Sequence, residues 1–245
     1  MPIPLETVFA APLIALVAYT ILGVSGFGSA LVTIPLLVHF LPLTIVVPMV
    51  VVIDFTATII TGMRFRGDVD LAELKMMVPT MIAGILIGVA LLKRVPGNAL
   101  IGVLGFAVAA YGVYRLRQPA AVKMLSPRWG IAAGLVGGIT GGLFGVGGPI
   151  YVTYMSRRTD NYARLRATLS AIFSVSTGFR LIVFLVTGFL LQPQVWWTVL
   201  LILPFMYIGL TIGHRLHGRL DAKHLSVFIS LLLIASGLSL LLRAF

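Results

Sequence analysis

The chain has 245 residues, is 59% hydrophobic and only 10% charged, and its mean hydropathy is +1.08. That balance excludes a water-soluble domain and marks a polytopic membrane protein. The absence of cysteine excludes disulfide and thiol chemistry, and the net charge of +11 is read as basic loops orienting membrane helices, not as a nucleic-acid footprint.

The opening "MPIPLETVFA" (1–10) carries Glu6 and no basic lead, so it reads as the start of a mature helix and not as a cleaved signal. Residues 5–41 are interrupted by glycines, giving a helix over 5–22 and a shorter one over 29–41. Apolar segments follow at 45–62, 74–92 and 98–117, each close to the roughly 20 residues that cross a bilayer. The pattern then restarts. Residues 128–157 break at "TGGLFGVGGPIYVTY" (140–154) into a helix over 128–143 and a short one over 149–157. Segments at 163–188, 195–213 and 223–243 complete the chain.

The basic residues cluster in alternate loops. Arg64, Arg66 and Lys75 share one; Arg115, Arg117, Lys123 and Arg128 the next. Arg157, Arg158, Arg164 and Arg166 share a third, and Arg215, Arg219 and Lys223 a fourth. The intervening loops hold only Lys93 and Arg94, with Arg243 at the tail. The rich loops are therefore expected to face the cytoplasm, with both termini outside it, in a multi-pass protein of the cell membrane. Trp129 then starts a helix at the inner interface, and Trp196 and Trp197 start one at the outer interface.

Two blocks recur in order. "GFG" (26–28) matches "GVG" (145–147), and "PTMIAGILIGVALLKR" (79–94) matches "PFMYIGLTIGHRLHGR" (204–219). Arg94 is placed outside and Arg219 inside, so the copies are expected to insert upside down relative to each other. The expected fold is an all-α membrane protein built as an inverted repeat. Each half has a Gly-broken short-helix hairpin plus three transmembrane helices. The first repeat is 1–118 and the second 128–245. Inverted repeats with broken helices mark secondary transporters. Gly84-x-x-x-Gly88 and Gly209-x-x-x-Gly213 are expected to let helices approach closely.

A helix broken at membrane depth is tolerated only when buried in protein or beside a wet cavity. The short helices begin with free N–H groups and a partial positive charge, which favour an anion. Gly26, Phe27, Gly28 and Ser29 form one such start; Gly145, Val146, Gly147 and Gly148 form the other. If the repeat is inverted, the two starts can face one midplane site.

Asp54 and Arg180 are the ionised residues deep inside apolar segments. Arg180 is read as a guanidinium for an oxyanion, and Asp54 as a proton carrier or charge balance; a buried pair between them is the alternative. His39 is read as an interface residue.

The glycines fit neither a P-loop, since Pro149 and Ile150 follow Gly148, nor a dinucleotide fingerprint, since Leu31 and Ile150 occupy the third glycine place. "GVSG" (23–26) has the look of an intramembrane serine protease, yet no histidine is placed to serve Ser25 as base. No catalytic, metal or cofactor site is therefore assigned. The expected partners are a small anion and the lipid bilayer, with no nucleic acid. Alternatives to a carrier are an anion channel or an intramembrane enzyme.

"GVSGFGSALVTIPLLVHFLPL" (23–43) and "GGITGGLFGVGGPIYVTYM" (137–155), with the chain's length and duplicated halves, resemble the TauE/SafE family, the sulfite exporter and toluene-sulfonate uptake permease group. The first motif departs from the second, with Ser29 and Ala30 where Gly148 and Pro149 stand. The resemblance implies a transporter of small sulfur-containing anions such as sulfite, sulfoacetate or other organosulfonates.

Overall fold

The computed structural model describes residues 5–62, 69–117, 124–216 and 222–244. Arg64, Arg66, Lys123 and Arg219, used above to orient the chain, lie outside the described residues.

The described residues are all-helical. The helices are α1 (Leu5–Ser25), α2 (Ser29–Leu37), α3 (Leu43–Gly62), α4 (Leu71–Arg94) and α5 (Gly97–Leu116), then α6 (Trp129–Phe144), α7 (Gly148–Met155), α8 (Tyr162–Val186), α9 (Pro193–Leu216) and α10 (Ala222–Ala244). Seven of them are long and apolar enough to cross a membrane; α6 is shorter, with 16 residues. The short α2 and α7 have nine and eight residues. Phe9, Phe106, Leu200 and Leu242 are exposed on the long helices, as lipid-facing side chains would be. Trp129, Trp196 and Trp197 are exposed as well.

Both helix breaks fall where the glycines predicted them, but for unequal reasons. Gly26 (φ 81°), Gly28 (φ 101°) and Gly145 (φ 69°) take the left-handed conformation that side chains resist. Gly147 does not; a Cβ there would lie 2.5 Å from the Gly137 carbonyl, so it is held by close packing.

The chain forms two compact units. One comprises Met1–Val50, Arg94–Ala120 and Gln192–Phe245; the other comprises Val51–Lys93 and Ala121–Leu191. Within the first, α1 and α9 meet backbone to backbone. A Cβ on Gly209 would stand 2.5 Å from the Leu16 carbonyl, one on Gly213 would strike the Thr20 carbonyl, and one on Gly23 would stand 2.7 Å from that of Leu210. A second such contact joins α5 and α10, where a Cβ on Gly105 would stand 2.8 Å from the Gly237 carbonyl. His39, just after α2, has Nδ1 3.0 Å from the Pro35 carbonyl and Nε2 2.9 Å from Ser239 Oγ of α10.

Within the second unit, α4 and α6 form the matching seam. A Cβ on Gly84 would strike the Leu135 carbonyl, one on Gly88 the Ile139 carbonyl, and one on Gly142 would lie 2.5 Å from that of Ile85. In a bilayer no hydrophobic force drives helices together, so such close approach is what holds them.

Polar anchors fix the ends. Asn161 caps α8, its Oδ1 accepting from the Ala163 and Arg164 N–H groups at 3.0 and 3.1 Å. Asp70 does the same for α4, accepting from Ala72 and Glu73. Glu73, in the first turn of α4, is buried with both carboxylate oxygens engaged. Arg158 Nε donates to Oε1 and the Tyr154 hydroxyl donates to Oε2, each at 2.6 Å. Arg158 Nη1 also donates to the Leu125 carbonyl at 2.9 Å. A Cβ on Gly130 would stand 2.8 Å from the Tyr154 hydroxyl, so that glycine makes its room. The C-terminal end of α7 is thereby bolted to α4 and to the chain entering α6.

Candidate anion site

The second unit gathers Arg180, the Gly145–Gly148 turn and the last turn of α6. At the end of α6 the Gly145 and Val146 N–H groups fold back onto the Gly141 and Thr140 carbonyls at 2.9 and 3.2 Å. The Gly141 carbonyl accepts a second bond, from Arg180 Nη1 at 2.9 Å. Arg180 is therefore a cation on the negative end of α6, a favourable place for it. Its Nη2 lies 3.4 Å from Thr177 Oγ1, one turn earlier on α8. The residue is only 5% exposed. Burying a guanidinium this deeply is costly unless dipoles or an anion compensate.

α7 begins beside it. Pro149 at the second position has no N–H, and the Ile150 N–H turns back to the Gly147 carbonyl at 3.2 Å. The Gly147 and Gly148 N–H groups donate to no other described residue. Two backbone donors remain at the positive end of the helix.

Two glycines here have no structural need to be glycine. A Cβ on Gly148 would meet nothing nearer than the Phe173 ring at 3.6 Å, and one on Gly141 nothing nearer than Gly147 Cα at 3.7 Å, with Arg180 Cδ at 4.0 Å. Both are ordinary contacts, and neither residue has a positive φ. A glycine that packing and φ do not demand costs about 0.5–1 kcal/mol in a helix. What it leaves is bare backbone against Arg180.

The first break is built differently. It belongs to the other unit. Ser25 Oγ lies 2.7 Å from the Ile21 carbonyl and 2.6 Å from that of Phe27, so its one proton is engaged locally. The Phe27 ring carries the Arg115 guanidinium 5.8 Å from its centroid. Gly28 is open to a side chain in space and is held by its φ alone. Asp54 is half-buried on α3, in the second unit, beside Phe55, which faces Gly178 of α8. Among the described residues no cluster of histidine or acidic side chains has the makings of a metal site.

Two residues here escaped the sequence reading. Glu73 stands one place before the apolar segment at 74–92, where it looks like a loop acid. Tyr151 reads as one more apolar residue in "GPIYVTYM". Only the carboxylate's flanking run of Leu71, Ala72 and Leu74 hinted at its burial.

The family model for the sulfite exporter TauE/SafE matches residues 11–240. The chain belongs to the TauE/SafE family. It is 27% identical over 195 residues to the "Probable inner membrane transporter protein TsaS" of Comamonas testosteroni, covering 78% of this chain and 81% of that protein. No solved structure matches it. This TauE/SafE chain is thus a multi-pass membrane protein of a transporter family, and the enzyme alternative falls away.

Proposed function

We propose that the chain is a secondary transporter of a small sulfur-containing anion: sulfite, sulfoacetate or another organosulfonate. The observation that carries this is Arg180, buried on the C-terminal end of α6 beside the free N–H groups of Gly147 and Gly148. Guanidinium and backbone N–H groups are all donors, matched to an oxyanion. Gly145, Val146, Gly147 and Gly148 form the cradle with Arg180. Gly26, Phe27, Gly28 and Ser29 supply its counterpart from the first copy, and Asp54 balances charge when the site is empty.

The inverted repeat is part of this proposal, with halves 1–118 and 128–245. Support comes from the seams. Gly84 and Gly88 meet the carbonyls of Leu135 and Ile139; Gly209 and Gly213 meet those of Leu16 and Thr20. Laying Gly26 on Gly145 and Pro79 on Pro204 maps each of these residues onto its partner. On this reading the fourth helix of each half packs on the first helix of the other. Alternating access then rocks one half against the other around the glycine turns, with the basic loops in the cytoplasm and both termini outside.

The test is counterflow of labelled sulfite or sulfoacetate in proteoliposomes, with Arg180→Gln beside wild type. Saturable counterflow that Arg180→Gln abolishes in folded protein supports the reading. Steady conductance without counterflow makes the protein a channel, and undiminished counterflow in Arg180→Gln removes Arg180 from the site.

A further inference from the structure

Tyr151 is among the largest fully buried side chains, at 1% exposure, and its hydroxyl makes no hydrogen bond of ordinary length and angle among the described residues. Leaving such a group unpaired in a buried place is costly. The fold nevertheless goes to some length to seat it. Gly137 is glycine because a Cβ there would run into the Tyr151 ring, and a Cβ on Gly147 would stand 3.1 Å from Cε2. Phe173 closes the other side, with ring centroids 6.3 Å apart. Ser176 of α8 is the nearest hydrogen-bonding neighbour of the hydroxyl, and Arg180 of the same helix acts on it through its charge. The residue stands one turn into α7, whose N-terminal donors are those of Gly147 and Gly148.

We infer that the Tyr151 hydroxyl donates a hydrogen bond to the bound anion, and so helps select a three-oxygen sulfur headgroup over a two-oxygen carboxylate. This rests on the anion-site reading above and deepens it. Arg180, the Gly147–Gly148 backbone and Tyr151 are three separate sources of donors. A carboxylate presents two oxygens in one plane, whereas a sulfonate or sulfite presents three in a pyramid, so donors arriving from three directions suit the sulfur headgroup better. The corresponding place in the first copy, aligning Gly26 with Gly145, is Val32, which has no donor. The specificity contact therefore belongs to the second copy alone.

The experiment uses the full chain in detergent, titrated with sulfite, sulfoacetate and acetate while binding and the thermal midpoint are followed. Tyr151→Phe is expected to weaken sulfite and sulfoacetate by about tenfold or more, since a hydrogen bond to a charged group contributes roughly 1.5–3 kcal/mol. Acetate is expected to change by less than about threefold, and the midpoint without anion to hold or rise. Unchanged sulfite and sulfoacetate affinity, beside an Arg180→Gln that abolishes binding, overturns the Tyr151 assignment alone. Equal losses for all three anions overturn the headgroup selection. An Arg180→Gln that binds as wild type overturns the anion-site reading, and the Tyr151 assignment with it.

Discussion

Replacing Gly209 by alanine tests the backbone seam between α1 and α9. The new Cβ would stand 2.5 Å from the Leu16 carbonyl oxygen and 3.1 Å from the Thr20 nitrogen. Ordinary contact begins at 3.4 Å, so α9 must retreat by about 0.9 Å. The obstacle is backbone, so no side chain can swing away. A gap of that size forfeits roughly a quarter to a half of each dispersion contact along the seam. Overpacking of this kind costs about 1–3 kcal/mol, against which alanine's better helix propensity returns about 1. The net loss is on the order of 0–2 kcal/mol, or a fall of up to roughly 8 °C in the thermal midpoint. Differential scanning fluorimetry in detergent measures it. Gly97→Ala is the control, since a Cβ there meets nothing within 4 Å. If Gly209→Ala melts no lower than Gly97→Ala, the seam is not the tight contact described. On the repeat proposed above, Gly84→Ala should behave like Gly209→Ala, through the Leu135 carbonyl.

Arg158→Ala should destabilise the second unit by about 1.5–3 kcal/mol, because it strips a bond from the buried Glu73 carboxylate; chemical denaturation reads it. That bond holds the Arg158 pKa above its ordinary value. A raised pKa gives stability that is complete below the unfolded value and is lost only as pH climbs through the higher folded one. Arg158's own titration should therefore add no slope to the stability profile between about pH 6 and about pH 9. Asn161→Ala should cost about 1 kcal/mol through the lost cap on α8, measured the same way. The chain has no native cysteine, so single cysteines report sidedness cleanly. Arg164→Cys should be labelled by an impermeant maleimide only after cells are opened, and Lys93→Cys in intact cells; the reverse would invert the topology proposed above.

The helices themselves were legible because a bilayer imposes a length on each apolar run. Runs such as 74–92 and 163–188 became α4 and α8 within a few residues. The breaks at Gly26 and Gly145 were legible because only glycine supplies those φ values at depth. Partnership was not. Nothing local says that Gly84 meets Leu135, that His39 meets Ser239, or that Glu73 meets both Tyr154 and Arg158. Nor does composition distinguish Gly28, held by its φ, from Gly147, held by crowding, or from Gly148, which neither requires. Arg180 was legible as a buried charge, but its bond to the Gly141 carbonyl arises from the close of α6, a long-range event.

The seams have a consequence for how such a chain can change over generations. Every replacement of glycine adds a Cβ, and at Gly84, Gly88, Gly209 and Gly213 each Cβ arrives against a main-chain carbonyl. Smaller steps do not exist, because nothing lies between a hydrogen and a methyl group. These positions cannot drift by gradual enlargement with neighbours adjusting in turn. A variant there must shift a whole helix at once, so the lipid-facing positions on the same helices are where divergence has room to accumulate.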